Sequence, residues 1–306
     1  MKVSKGSPKP PRVVLYGPPG VGKSTFGADS RAPIFLPTED GVDNVPVPQA
    51  ERAREWVELL ANARECAAGK GEYKTVVIDT LNGAAELCSR HVCQTLYGGQ
   101  WTVAKGNGGF LAWGQGWKAT AEEFMQLLAA LDDCRAKGMT VLLLSHVGLL
   151  TVKTPSDGEY TKYAPDVDKN VWARVCAWSD IVLRAEYEHT VIPASGPGKG
   201  KVASTKARRM FSAGSAAEDA KCRVGYELPE EMPLSWAEFA AALGKGAGTV
   251  EAIKALMPLL TSEEQAKAMA WMGGSIEGAS LTKQRQLLGK LDKKAAEIAA
   301  TKGDGK

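Results

Sequence analysis

A chain of 306 residues, 44% hydrophobic and 24% charged, has the length and apolar content for a full α/β core with a small appendage. No apolar run reaches eighteen residues, which argues against a membrane-spanning helix. The net charge is only +3, and residues 244–306 carry ten Lys/Arg against seven Asp/Glu, so the whole excess lies in the tail and is too mild to imply nucleic-acid binding by itself.

Residues 1–11 are basic and Pro-rich without an apolar h-region, which predicts a flexible lead-in rather than a secretory signal. Arg12 to Tyr16 is a short apolar run ending in glycine, a buried strand, and Val21 to Asp29 follows as a helix. Pro33 to Pro37 predicts a second strand, closed by Thr38-Glu39-Asp40-Gly41. A helix is expected over 49–67, with Trp56, Leu59 and Leu60 on one face. Tyr73 to Asp79 is a third, β-branched strand ending in an acid, followed by a helix over 81–96.

Residues 97–116 are rich in glycine and aromatics and predict an irregular loop. A long helix resumes from Trp117 to Lys137. Met139 to Ser145 is a fourth buried strand, with His146 directly after it. Residues 147–170 read as a long polar loop or hairpin, then a helix near 168–177 and a fifth strand over 179–186. Turn signals over 190–226 suggest hairpins at a sheet edge. Helices are expected at 235–243, 249–258, 262–272 and 280–299, with a domain boundary in the glycine-rich stretch 244–248.

Strands that are continuous apolar runs and alternate with helices predict a mostly parallel sheet covered on both faces. The expected fold is therefore a three-layer α/β/α domain over 12–243, a helical region over 249–300, and a flexible tail over 301–306. The six cysteines (Cys66, Cys88, Cys93, Cys134, Cys176, Cys222) lack paired spacing and suit a reducing cytoplasm. Cys88, His91 and Cys93 do not converge on one helical face, so helix packing is expected there rather than zinc.

Between the first strand and its helix, residues 17–24 read G-P-P-G-V-G-K-S. Gly17, Gly20 and Gly22 let the backbone of Gly17, Pro18, Pro19, Gly20, Val21 and Gly22 wrap phosphates, with the N-terminus of the helix beyond, through Thr25, adding partial positive charge. Lys23 supplies a point charge to the β/γ-phosphates, and the Ser24 hydroxyl is placed for Mg²⁺. ATP and Mg²⁺ are thus the expected ligands. Asp79, at the tip of a buried strand downstream, fits a Walker B metal carboxylate, with a helix N-cap as the alternative. Glu39 leaves the second strand at the same sheet edge, where a carboxylate can activate the attacking water; Asp40 and Asp43 compete with it on spacing alone. Ser145 and His146 end the fourth strand at that edge, where a polar group can sense the γ-phosphate.

The order of these motifs, P-loop, I-F-L-P-T-E-D-G, V-V-I-D-T and L-L-L-S-H, is similar to that of RecA-like ATPases over roughly residues 12–240. In those proteins the catalytic glutamate follows the second strand, which the resemblance carries to Glu39. The pair after the fourth strand is Ser-His here rather than Asn-Gln, so His146 as a γ-phosphate sensor rests on position. Lys221-Cys222-Arg223 looks like the K-x-R pair that reaches a neighbour's γ-phosphate. With Ser156-Asp157-Gly158-Glu159-Tyr160 and Trp178-Ser179-Asp180-Ile181-Val182, it resembles a phage nucleotide-binding family that includes Sak-type single-strand annealing proteins. The resemblance implies ATP hydrolysis, self-association into a ring or filament, and single-stranded DNA as partner, with a single-strand-binding protein as a further one and no membrane. It also implies a host cytoplasmic location. A helicase-type or loader motor shares nearly every motif, and a nucleotide-gated protein-docking module without DNA is the rival from another class.

Two loops fall where RecA-like proteins hold single strands. Residues 97–116 offer Tyr97, Trp101, Phe110 and Trp113 with Lys105; residues 147–170 offer Lys153, Tyr160, Lys162, Tyr163 and Lys169. Stacking aromatics interleaved with cations suit a strand path, and packing of the same aromatics onto the domain is the alternative. In the tail, Lys283, Arg285, Lys290, Lys293 and Lys294 are read as the solvated face of a helix whose Leu281, Leu287, Leu288, Leu291 and Ile298 turn inward.

Overall fold

The computed structural model describes residues 9–42, 44–69, 71–102, 108–154, 158–192, 201–223 and 228–276, together with Lys283, Leu287, Lys290, Leu291 and Lys294. Asp43, Lys105, Ser156, Asp157, the tail 301–306 and most of the helix expected at 280–299 lie outside the described residues.

The elements run β1 (Arg12–Gly17), α1 (Lys23–Ala28), β2 (Pro33–Pro37), α2 (Trp56–Ala68), β3 (Thr75–Asp79), α3 (Leu81–Tyr97), a 3-10 turn at Ala112–Gly114, α4 (Gln115–Ala136), β4 (Thr140–Thr154) and β5 (Gly158–Pro165). There follow α5 (Lys169–Trp178), β6 (Ile181–Ile192), β7 (Lys201–Phe211), β8 (Lys221–Cys222), β9 (Glu231–Pro233), α6 (Trp236–Leu256), a 3-10 turn at Met257–Leu259 and α7 (Ser262–Met272). The sheet order is β2-β3-β4-β1-β6-β7-β9, with β5 hairpinned on β4. β2 with β3, β3 with β4, β4 with β1 and β1 with β6 are parallel; the β6–β7 and β7–β9 pairs at one edge are antiparallel.

The central strands are buried because both faces are covered. Val14, Tyr16, Leu36, Val76, Ile78, Val141 and Leu143 point into one apolar cluster with Trp56, Leu59, Leu87, Phe124, Leu127 and Val171 from α2 to α5. α1 covers the opposite face, and there a Cβ on Gly27 would come within 3.0 Å of Phe35, 3.3 Å of Val77 and 3.6 Å of Leu142. Phe26 meets the Trp236 ring edge-on at 5.2 Å between centroids. This is the three-layer α/β/α arrangement expected from the pattern of apolar runs.

Three elements depart from the sequence reading. β4 does not end at Ser145. It runs on to Thr154, and its burial changes from continuous over 141–145 to alternating beyond residue 149, as the strand leaves the covered sheet and becomes one arm of an exposed hairpin. β6 likewise runs past residue 186 to Ile192, pairing antiparallel with β7 in the edge hairpin expected over 190–226. α6 continues unbroken through 244–248, the stretch read as a linker. Its three glycines cost about 1 kcal/mol each relative to alanine but keep every backbone donor, and the flanking Ala-Ala-Leu and Val-Glu-Ala-Ile favour helix. The chain divides into two compact units, Met1–Lys221 with Glu230–Ala237, and Cys222–Pro229 with Glu238–Lys306.

The second unit has its own apolar cluster of Ile253, Met272, Ile276, Leu287 and Leu291. α7 starts with a capping box, Thr261 and Glu264. Lys294 binds Glu264 at 2.7 Å, and with the Thr261 amide holds that carboxyl down at about 2. Lys283 and Lys290 lie 5.5 and 5.6 Å from the Trp271 ring centroid. These tail cations thus make local contacts, in keeping with the helix-face reading.

In the first unit, the sheet edge at the start of β1 is tied by charge. Arg12 donates to Asp180 at 2.8 Å and reaches Asp132 at 3.2 Å, while Arg135 meets Asp180 at 3.1 Å. Burial pushes the Asp180 carboxyl up, but the Arg12 hydrogen bonds outweigh it and hold the group below the usual carboxylate range. That edge is structural. The chemistry lies at the other one.

Candidate nucleotide site

Parallel register brings four strand ends together. Gly17 pairs with His146, Pro37 with Asp79, and Asp79 with Leu144, so residues 17–24, 38–39, 79–80 and 145–146 emerge at one edge. The residues Pro19, Gly20, Gly22 to Thr25, Glu39, Asp40, Asp79, Thr80, His146 and Arg208 line a cleft of about 570 Å³ there.

The phosphate loop turns through left-handed backbone at Gly20 and Gly22, with φ of 74° and 106°, conformations that a side chain would strain. Lys23 is 7% exposed and donates to the carbonyls of Gly17 at 2.9 Å and Pro18 at 3.0 Å. Burial lowers its pKa, and the nearby Asp79 and Glu39 work against that shift. An anion entering the loop would therefore meet a buried ammonium with little competing solvent. The Ser24 hydroxyl donates to Asp79 Oδ2 at 2.7 Å. Burial raises the Asp79 pKa, opposed by that hydrogen bond and by Lys23. A buried carboxylate beside a P-loop hydroxyl is the donor set that a Mg²⁺ brought in with phosphate oxygens requires, so the residues fit the metal. The N-cap alternative for Asp79 falls away, because Thr80 caps α3 by accepting from the Gly83 amide at 3.1 Å.

Two of the three acids differ in their partners, and the third, Asp43, lies outside the described residues. Asp40 is 85% exposed on its side chain and pairs with Arg52. Glu39 instead accepts from the Thr80 hydroxyl at 2.6 Å, and its other oxygen lies 3.4 Å from His146 Nε2. Thr38 locks this turn to β3: its amide donates to the Asp79 carbonyl at 2.8 Å, and its hydroxyl both donates to the Thr80 carbonyl and accepts from the Thr80 amide at 2.8 Å. Gly83 makes the approach possible, since a Cβ there would fall 2.3 Å from the Thr38 hydroxyl. His146 is held by its own amide, which donates to Asn82 Oδ1 at 2.8 Å. Ser145 Oγ donates to the same oxygen. The buried Nδ1 of His146 has no hydrogen-bond partner among the described residues.

Two neighbours of the loop were not legible as site residues. A Cβ on Gly22 would lie 2.8 Å from Arg208 Nη1, and one on Gly20 would lie 3.4 Å from the Tyr187 hydroxyl. Both come from the β6–β7 hairpin, read only as edge structure. Lys221, by contrast, is not among the described residues lining the cleft, and its amine donates to the Cys176 carbonyl, while Arg223 falls in the second unit.

The residues expected to meet DNA divide sharply. Phe110 is fully buried, 4.5 Å from the Trp101 ring and 4.9 Å from Trp117, and Tyr97 joins the same cluster; packing explains both. Trp101 packs on that cluster but is 37% exposed. Trp113 is 75% exposed and sits at φ 52°, uncommon for a bulky residue. In the hairpin, Leu149 is 71% exposed, and exposed Lys153 pairs with Glu159 at 2.9 Å. Lys162 is not displayed: it is 18% exposed and bound to Asp219 at 2.6 Å. Asp219 also accepts from Trp172 Nε1 at 2.9 Å, and its carbonyl accepts from the Tyr16 hydroxyl at 2.8 Å, so Lys162 belongs to the hairpin's anchor.

Among the cysteines, Cys88 and Cys93 are buried on α3. Burial pushes the thiols of Cys66 and Cys134 up to about 11 and about 12, as expected of small hydrophobes in the interior.

A P-loop at a β1–α1 turn, a buried carboxylate at the tip of the neighbouring strand but one, and a mostly parallel covered sheet define a P-loop nucleotide-binding protein. The chain belongs to the AAA domain family, whose model matches residues 9–217. It is 26% identical over 181 residues, 56% of this chain, to the SPbeta prophage-derived uncharacterized protein YorG of Bacillus subtilis (strain 168), and spans about half (49%) of that relative's length. Among solved structures, the RadB recombinase is similar at 14% identity and a TM-score of 0.35, over 66% of this chain and 80% of that one. Among the described residues no helix is long and apolar enough to cross a membrane.

Proposed function

We propose that the protein is a Mg²⁺-dependent ATPase that acts on single-stranded DNA in phage or prophage recombination or annealing. The observation that carries this reading is the continuity of β4. One strand carries His146, at the cleft, and then extends to the exposed arm bearing Leu149 and Lys153. A change at the γ-phosphate that moves His146 therefore has a rigid lever to the surface.

In the hydrolytic step Glu39 accepts a proton from water as the water oxygen attacks the γ-phosphorus. The bond from that phosphorus to the bridging oxygen breaks, and ADP leaves with the electron pair. Thr80 orients Glu39 through its hydroxyl, and His146 faces the second carboxylate oxygen. Lys23 stabilises the β/γ-oxygens. Ser24 and Asp79 would hold Mg²⁺, which would supply positive charge at the phosphates. The strand path would use Trp113 as a stacking platform and Lys153 at phosphates. Self-association on DNA belongs to the same reading, because few contacts per chain gain affinity when copies line up.

The test is a titration of labelled single-stranded oligonucleotide with and without a non-hydrolysable ATP analogue, against duplex DNA. Binding to single strands that tightens with the analogue is expected. No binding in either state would remove the recombination reading and leave the nucleotide site alone.

A further inference from the structure

We infer that Arg208 is a phosphate-facing cation supplied in cis, so that the chain completes the positive charge around its own nucleotide without a neighbour. The inference rests on the ATP reading above.

The first ground is position. Arg208 lines the cleft with Lys23, Ser24, Glu39, Asp79 and His146, and its Nη1 would contact a Cβ on Gly22, the residue before the P-loop lysine. The second ground is the backbone that delivers it. Tyr187 pairs with Arg208, but the next pair is His189 with Ser204, so residues 205–207 of β7 stand opposite Glu188 alone. This is a bulge, and Lys206 within it has φ 59°, left-handed backbone that a lysine rarely adopts. Bulges re-aim the side chains beside them, and strained backbone of this kind persists where the surroundings hold it. Here the re-aimed side chain is Arg208.

The third ground is charge. Other arginines on the hairpin are spoken for: Arg184 by Glu186 and Glu218, Arg209 by Glu231, Glu186 and Glu188. Arg208 has no ion pair among the described residues, and its guanidinium lies 5.9 Å from the centroid of the Tyr187 ring. A planar, permanently charged fork held against an aromatic ring beside a phosphate loop, with its hydrogen-bonding capacity unspent, is suited to bidentate phosphate contact. An arginine that neutralises charge developing on the γ-phosphoryl is worth about 10³–10⁵ in rate, whether it comes from the same chain or another.

The experiment compares the parent, Arg208→Ala and Arg208→Lys for ATP turnover, for affinity toward a fluorescent ATP analogue, and for thermal unfolding. Arg208→Ala is expected to unfold with the parent, bind the analogue about tenfold more weakly, and turn over about 10³-fold more slowly. Arg208→Lys should recover part of the binding and little of the rate, because the fork is lost. Arg208→Ala is then mixed with excess Glu39→Gln chains, which carry an intact Arg208. No return of activity is expected, either in assemblies proven to be mixed or where the chain is a monomer. Recovery in mixed assemblies would overturn the cis assignment, and so would parent-like binding and turnover by folded Arg208→Ala. The parent's own ATP binding reports separately on the underlying nucleotide reading.

Discussion

Glu39→Gln is expected to bind ATP as the parent does and hydrolyse it about 10²–10⁴-fold more slowly, because only the proton acceptor is removed. The amide keeps one oxygen to accept from Thr80, so the turn at Thr38 and Glu39 should stay in place. Asp40→Asn should turn over at the parent rate, since Asp40 is exposed and paired with Arg52. Lys23→Ala should instead lose nucleotide binding, as the buried ammonium of the phosphate loop is gone while the carbonyls of Gly17 and Pro18 remain turned inward. Filter binding and phosphate release on the three variants separate these outcomes. Parent-rate turnover by Glu39→Gln together with a slow Asp40→Asn would mean that the other acid is the base.

Trp113→Ala is expected to weaken binding to single-stranded DNA about tenfold with unchanged thermal stability. A stacked base is worth about 1–3 kcal/mol, and an indole this exposed contributes little to the core. Trp101→Ala should do the reverse in emphasis, lowering stability, because its ring is packed on Phe110 and Trp117. Lys153→Ala should flatten the salt dependence by about 0.7 for one lost phosphate contact on a single strand. Lys162→Ala should leave that slope alone and loosen the hairpin, because its amine is bound to Asp219. Equal effects of the two tryptophans on DNA affinity and stability would reduce both to packing. A Trp113→Ala chain that binds like the parent would remove this loop from the strand path.

How far the sequence could be read depended on whether each feature was local. The P-loop is local: glycines, lysine and serine at fixed spacing between an apolar run and a helix. Strands β1 to β3 were legible because burial on both faces makes them continuous apolar runs. The outer half of β4 was legible only as loop or hairpin, because Thr151, Lys153 and Thr154 have the composition of either. Glu39 and Asp40 are adjacent and chemically alike, and what distinguishes them is their partners, Thr80 and His146 for the one and Arg52 for the other. Phe110 and Trp113 sit in one glycine-rich stretch, yet one is buried and the other displayed; backbone bonds from Phe110 to Gln100 and from Leu111 to Trp101 close the loop base and decide which ring turns in. Arg208 was invisible for a deeper reason. Its aim depends on the β6–β7 register and on a bulge, neither of which has a sequence signature of its own.

The most direct test of a DNA-responsive ATPase is steady-state ATP turnover with Mg²⁺, measured with and without single-stranded DNA. Turnover that rises with single strands, far less with duplex, and falls to background in Glu39→Gln is the expected result. An unchanged rate across saturating single-stranded DNA, with Glu39→Gln still inactive, would contradict the account and leave a nucleotide-gated docking module in its place.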